Sequence, residues 1–279
     1  MVVRVVLLGT AAGGGFPRWN CACALCTAAR DGRLPARTRE CAAVTGNGRD
    51  WWLLNASPDL RAQFAATPAL WPGPRDTPLR GVLLTDAEDD HATGLAELRG
   101  AAGLKIYAAS PVRAVLDRHA PWEWADSLAD GGFVLAGGLV VTAYPVGTTN
   151  PTGPGWTAYR VEDLASGRVL VYAPCVGAWS RVLDELCAGA DCVLLDGTCF
   201  AADETDGAVR SGAGQAAPGH LPVGGPGGSL AALARHPGPR RIYTHLADTN
   251  PLLDPASPAR ARVTEHGAEI LPDGTELVL

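Results

Sequence analysis

Three short apolar runs of this chain end in ionisable residues, and no other feature narrows its fold as much. They are Val82-Leu83-Leu84-Thr85-Asp86, Val193-Leu194-Leu195-Asp196 and Ile242-Tyr243-Thr244-His245. Continuous Val/Leu/Ile runs of this length read as buried strands. In layered α/β proteins ligands collect beyond the strand ends, where loops converge. A charged group at such a place is costly unless it is solvated, paired or bound to a metal. Any one of these residues alone reads as an N-cap or a loop polar group. The three together, with Asp90-His91 just after the first, point to a metal.

The rest of the pattern fits an α/β chain. Strands are expected near Val2–Leu8, Ala42–Thr45, Trp51–Leu54, Gly81–Thr85, Lys105–Ala108, Phe133–Leu135, Leu139–Tyr144, Thr157–Val161, Val169–Ala173, Cys192–Leu195, Arg241–Tyr243, Glu269–Leu271 and Glu276–Val278. Helices are expected at Pro58–Ala66, His91–Ala102, Pro111–Arg118, Trp179–Ala188, Ser229–Arg235 and Ser257–His266. Ser57-Pro58 and Ser110-Pro111 each place a capping serine before a first-turn proline. Two packed sheets flanked by helices accommodate this order. Thr67–Pro78 and Ala201–Gly228 are irregular, and no repeat or linker interrupts the chain, so residues 1–279 are expected to form one domain.

Composition excludes several classes. At 279 residues with 47% apolar and 19% charged residues, the chain can bury a full core without staples. A net charge of −6 argues against a nucleic-acid partner. Val2–Leu8 is too short to span a bilayer and lacks the marks of a signal peptide, so no membrane partner and a cytoplasmic location are expected. In such a setting eight cysteines suggest metal ligation before disulfides. Cys21-Ala22-Cys23-Ala24-Leu25-Cys26, ahead of a short helix, is the strongest case: three thiolates fill most of a tetrahedron around zinc. Cys41, Cys175, Cys187, Cys192 and Cys199 read as core or pocket lining.

The stretch Thr85-Asp86-Ala87-Glu88-Asp89-Asp90-His91 resembles the His-x-His-x-Asp-His signature of the metallo-β-lactamase superfamily, which also follows a strand. Asp86 and Glu88 stand at the first two histidine positions, while Asp90 and His91 are kept. The resemblance implies an αββα sandwich of two mixed sheets flanked by helices. It also implies that Asp90, His91 and His245 form one metal position. The other position has lost its histidines, and Pro174-Cys175 follows Val169–Ala173 where a bridging carboxylate is usual. One active-site metal is therefore expected, with Asp86 and Glu88 orienting the ligand histidines. A related phosphodiesterase branch takes the fourth ligand of its cysteine site from a place that is Asp248 here.

Longer blocks resemble the PqqB family of pyrroloquinoline quinone biosynthesis: Leu8–Cys21, Asn55–Arg61, Thr85–Leu95, Leu195–Thr198, Gly219–Pro222 and His245–Pro251. The chain is shorter than expected for that family, chiefly around Asp117–Asn150, and Cys175 and Cys199 replace anticipated residues. The resemblance implies an iron-dependent hydroxylase that uses O2 to oxidise a tyrosine-derived or other aromatic amino-acid-derived intermediate, for that cofactor or a related natural product. His220 or Asp196 would deprotonate or orient the substrate. Trp19-Asn20, Ala11–Gly15 and Ala201–Gly228 would wall the cavity. Two imidazoles and a carboxylate suit Fe(II) with open positions, but zinc accepts the same set as a hydrolytic centre for an ester, lactone or phosphodiester. A non-catalytic carrier of the quinone or its precursor is the third reading. A homo-oligomer is compatible with all three. His119, His236 and His266 read as structural.

Overall fold

A computed structural model describes residues 2–101, 103–116, 122–128, 131–147, 155–204 and 219–279. The apolar runs pair into two seven-stranded sheets among these residues. The first holds β1 (Arg4–Gly9), β2 (Cys41–Thr45), β3 (Trp51–Leu54), β4 (Leu79–Leu83), β5 (Lys105–Ala108), β6 (Glu123–Asp126) and β14 (Glu276–Val278), in the order β14-β1-β2-β3-β4-β5-β6. The second holds β7 (Phe133–Leu135), β8 (Leu139–Pro145), β9 (Thr157–Asp163), β10 (Val169–Ala173), β11 (Cys192–Asp196), β12 (Arg240–Thr244) and β13 (Ala268–Ile270), in the order β13-β12-β11-β10-β9-β8-β7. From β3 to β6 and from β10 to β13 neighbouring strands run parallel; the remaining pairs are antiparallel. The site residues sit beyond the C-terminal ends of parallel strands, because a parallel sheet brings all those ends to one edge.

Every residue of β2, β3, β10 and β11 is buried, since both faces of these strands are covered. Between the sheets lie Val5, Leu7, Val44, Leu54, Tyr159, Leu170 and Leu194. The outer face of the first sheet packs under α2 (Leu60–Ala66) and α4 (Ser110–Leu116). That of the second packs under α1 (Ala24–Arg30), α5 (Arg181–Ala188), α6 (Ser229–Leu233) and α7 (Pro258–Glu265). The layers are helix, sheet, sheet, helix. No helix among the described residues is long and apolar enough to cross a membrane.

Differences from the expected elements are local. β6 was not expected. The segment after Ser57-Pro58 turns before it coils: Ser57 Oγ accepts from Asp59 N at 3.1 Å, and α2 starts only at Leu60. The helix expected from His91 is one turn of α-helix, α3 (Asp89–Ala92), followed by a 3-10 helix at Thr93–Leu98. Gly94 explains the tight path, since a Cβ there would lie 2.0 Å from the Ser57 carbonyl. Residues 102 and 117–118 of the expected helices, His119, and 205–218 of the irregular segment lie outside the described residues.

Beneath the strand ends Glu40 is fully buried against Tyr172, whose hydroxyl donates to it, and Asn55, whose Nδ2 donates at 3.4 Å. Burial pushes its carboxyl up to about 8, although His91 and the two donors pull it down. The folded chain thus binds a proton there that the unfolded chain has released. In metal-free protein this favours folding fully below the usual glutamate range, and the benefit is lost as pH rises towards 8. Glu40→Gln is expected to flatten the fall in urea midpoint between about pH 4.5 and about pH 8, the window of that shift. An unchanged slope would remove the assignment.

Candidate metal centre

The three strand ends meet through their loops. Beyond β4, Thr85 Oγ1 and Glu88 N each bond the Asp86 carboxylate, at 2.7 and 2.9 Å. Fully buried Asp86 in turn holds His91 Nδ1, its two oxygens at 3.0 and 2.9 Å. Behind them Asn55, in the left-handed region at φ 65°, accepts from Thr85 N at 2.9 Å. Beyond β12, His245 is also left-handed, at φ 58°. Its neighbour Leu246 is bonded to Thr10 and Ala12 of the first loop. Non-glycine residues in this conformation mark places where packing holds a side chain against local preference.

The bonds fix the imidazole tautomers. Asp86 can only accept from His91 Nδ1, so in the neutral ring Nε2 carries the lone pair. Thr198 Oγ1 lies 2.6 Å from Asp196 Oδ1 and 2.7 Å from His245 Nδ1. Its one proton goes to the carboxylate, so His245 Nδ1 donates and its Nε2 is left to face Asp90. Asp90 Oδ2 lies 3.2 Å from His245 Nε2 and 3.6 Å from His91 Nε2. Bonds of about 2.0–2.1 Å from one ion give ligand–ligand separations of about 3.3 Å in a tetrahedron. His91 Nε2 is moreover buried without a hydrogen-bond partner, as expected of an atom built to meet a cation. The donor set fits a divalent metal.

Electrostatics agree. Burial alone would lower the His91 imidazole and raise the Asp90 carboxyl. Asp86 and Asp90 instead hold His91 well above its ordinary value, and His91 and His245 hold Asp90 below its own. The carboxylates draw positive charge to this spot.

His220 is brought to the same place. Its Nδ1 lies 2.6 Å from Asp196 Oδ2, its ring 5.4 Å from that of His245 and 4.7 Å from Trp156. Asp196 also accepts from Val176 N at 2.7 Å and from Thr198 N at 3.0 Å. With Thr198 Oγ1 and His220 these contacts fill all its acceptor positions. Asp196 is thus placed to orient His220, one of the roles the sequence left open for it. Glu88 accepts from Trp156 Nε1 at 2.8 Å and so reaches His220 through the indole. His236 pairs with Asp184, and His266 Nδ1 lies against the Arg262 carbonyl, both away from the centre.

Gly13 lies against the Asp90 carboxylate, 3.4 Å from where a Cβ would stand. Trp19 differs from expectation: at 87% exposure it projects into solvent and walls nothing. A cavity of about 380 Å³ is lined by Phe200–Ala202, Pro222 and the 224–228 turn, in the segments that follow Thr198 and His220. Sequence reasoning missed the contacts of Thr198 and Trp156, and it read Cys175 as core or pocket lining without singling out its nearness to both histidines. One donor atom each from Cys175, His91 and His245 lie within 4.8 Å of one another.

The cysteine cluster is a second site. One donor atom each from Cys21, Cys23, Cys26 and Asp248 lie within 4.8 Å of one another, with Cys26 Sγ 3.7 Å from Asp248 Oδ2. Cys26 N donates to Cys23 Sγ and Arg18 N to Cys26 Sγ, both at 3.4 Å. Burial, then the adjoining sulfur and carboxylate, push the Cys26 thiol up. Three sulfurs and an acid in this space suit a bound cation better than four neutral groups. The donor set fits zinc.

A family model described as a beta-lactamase superfamily domain matches residues 50–246. Fold and site thus define a metallo-β-lactamase-like protein. Coenzyme PQQ synthesis protein B of Cupriavidus necator is 40% identical, covering 100% of both chains, and that of Pseudomonas fluorescens 37%, covering 99% of both. The crystal structure of Zn2+-bound PqqB from Methylobacterium extorquens superposes with a TM-score of 0.90 at 33% identity, over 99% of this chain and 100% of that one. The chain belongs to the PqqB family. A diphosphatase of the PhnP family, at 18% identity and a TM-score of 0.73, shares the fold.

Proposed function

We propose that the protein is a mononuclear metal-dependent hydroxylase of pyrroloquinoline quinone biosynthesis or a closely related pathway. It would use Fe(II) and O2 to oxidise a tyrosine-derived or other aromatic amino-acid-derived small molecule. The observation that carries this reading is the convergence of His91 Nε2 and His245 Nε2 on one Asp90 oxygen, at 3.6 and 3.2 Å. Likeness to the PqqB relatives supports the pathway.

Asp90, His91 and His245 would hold the ion. Bound there, Fe(II) would supply redox chemistry with O2 and polarise an oxygen of the substrate. The chain's own residues do the rest. Asp86 keeps His91 in the ligating tautomer, and Thr198 does the same for His245. His220 presents Nε2 as a proton acceptor for a substrate phenol, because Asp196 occupies its Nδ1. Burial lowers the His220 imidazole and Asp196 more than offsets this, so the proton, once taken, is held. Cys21, Cys23, Cys26 and Asp248 would hold structural zinc that ties the first loop to the His245 loop.

Metal content after anaerobic purification tests the assignment. Iron, with O2 uptake that depends on an aromatic amino-acid-derived substrate, is the expected result. Zinc with hydrolytic turnover under argon would replace it. Asp86→Asn is expected to weaken active-centre metal affinity about 10–100-fold, measured by chelator competition. An unchanged affinity would show that Asp86 does not orient His91.

A further inference from the structure

We propose that Cys175 is a fourth protein ligand of this metal centre, so that two imidazoles, a carboxylate and a thiolate hold the ion. This rests on the reading that Asp90, His91 and His245 bind a metal.

Cys175 follows β10 as Asp196 ends β11 and His245 follows β12, so it is carried to the same edge of the same sheet. The next residue fixes its position: Val176 N donates to Asp196 Oδ2 at 2.7 Å, and Val176 O accepts from Leu221 N at 2.7 Å. The side chain is 1% exposed. A buried cysteine is ordinarily a small apolar group. Cys41 fits that pattern, with its sulfur turned to the Asn55 carbonyl at 3.3 Å. Cys175 does not, because its sulfur lies within 4.8 Å of a nitrogen of both His91 and His245. Metal–sulfur and metal–nitrogen bonds of about 2.3 and 2.1 Å separate ligands by about 3.6 Å, so a small closure completes the set. Independently, His91 carries a buried Nε2 that has no hydrogen-bond partner. Binding would release the thiol proton to solvent, leaving the thiolate on the ion.

A thiolate makes the centre softer and more electron-rich than two imidazoles and a carboxylate alone. On a six-coordinate ion the four donors leave two positions for exogenous groups. A tetrahedral ion would be closed.

Cobalt(II) is the probe. Absorption spectra are compared for cobalt-loaded wild type, Cys175→Ser, and His91→Ala combined with Asp86→Asn. The Cys21–Cys26 cluster adds the same background to all three. The proposal expects a near-ultraviolet thiolate-to-cobalt band in wild type beyond that background, lost in both variants, with Cys175→Ser still binding active-centre cobalt. Retention of the full band by Cys175→Ser overturns the proposal and leaves the metal site standing. Cobalt uptake and spectrum unchanged in the His91 variant overturn the site and the proposal together. Should Cys175→Ser fail to fold, cobalt-edge X-ray absorption of wild type minus the His91 variant decides. A sulfur neighbour in that difference is expected, and nitrogen and oxygen alone would refute it.

Discussion

His91→Ala is expected to remove the active-centre metal and with it all oxygen addition to the substrate, while the cysteine-bound metal stays. The imidazole supplies one of two converging Nε2 donors and lies between Asp86 and Asp90. The variant also leaves Asp86 buried without its partner. Breaking a buried pair in this way costs about 3–5 kcal/mol, which confounds loss of metal with loss of fold. Asp86→Asn in the same chain removes the stranded charge, so His91→Ala with Asp86→Asn should fold near wild type and still bind no active-centre metal. Metal analysis of the folded double variant checks this. A full complement of metal would mean that His91 is a core histidine.

Cys26→Ser is expected to have the largest effect on stability. Structural zinc binding is folding free energy, about 10–16 kcal/mol in small zinc modules. Even a third of that, about 3–5 kcal/mol, would lower Tm by about 6–20 °C for a chain of this size. The damage should reach the active centre, because Asp248 follows His245 by three residues and Leu246 is bonded to Thr10 and Ala12 of the first loop. Chelation of the wild type should reproduce the drop, and zinc should restore it. A thermal scan that chelator leaves unmoved would make Cys21, Cys23 and Cys26 ordinary thiols.

Much of the fold was legible because central strands such as β2, β3, β10 and β11 are buried on both faces and so appear as unbroken apolar runs. β6 escaped because it pairs only with β5, and Glu123 and Asp126 at its ends are exposed. Its sequence therefore carries neither an apolar run nor a clean alternation. The helix expected from Pro58 starts two residues later, at Leu60, because a serine before proline suits a turn as well as an N-cap, and here Ser57 caps the turn. At the site, the strand-end residues Asp86, Asp196 and His245 were visible as breaks in apolar runs. Cys175 had a comparable signal, Val169–Ala173 followed by Pro174-Cys175, but a cysteine after a strand looks like more core. Thr198 stood in a family-like block, but its role, like that of Trp156, comes from contacts between distant segments.

Isotopic oxygen distinguishes oxidation at one metal centre from hydrolysis. The Fe(II)-reconstituted chain would be given an aromatic amino-acid-derived substrate under isotopically heavy O2, and the product weighed by mass spectrometry. Heavy oxygen drawn from O2 is expected in the product, and none with the His91→Ala, Asp86→Asn variant. Product that takes its oxygen only from water, and forms equally well with zinc under argon, would contradict that expectation.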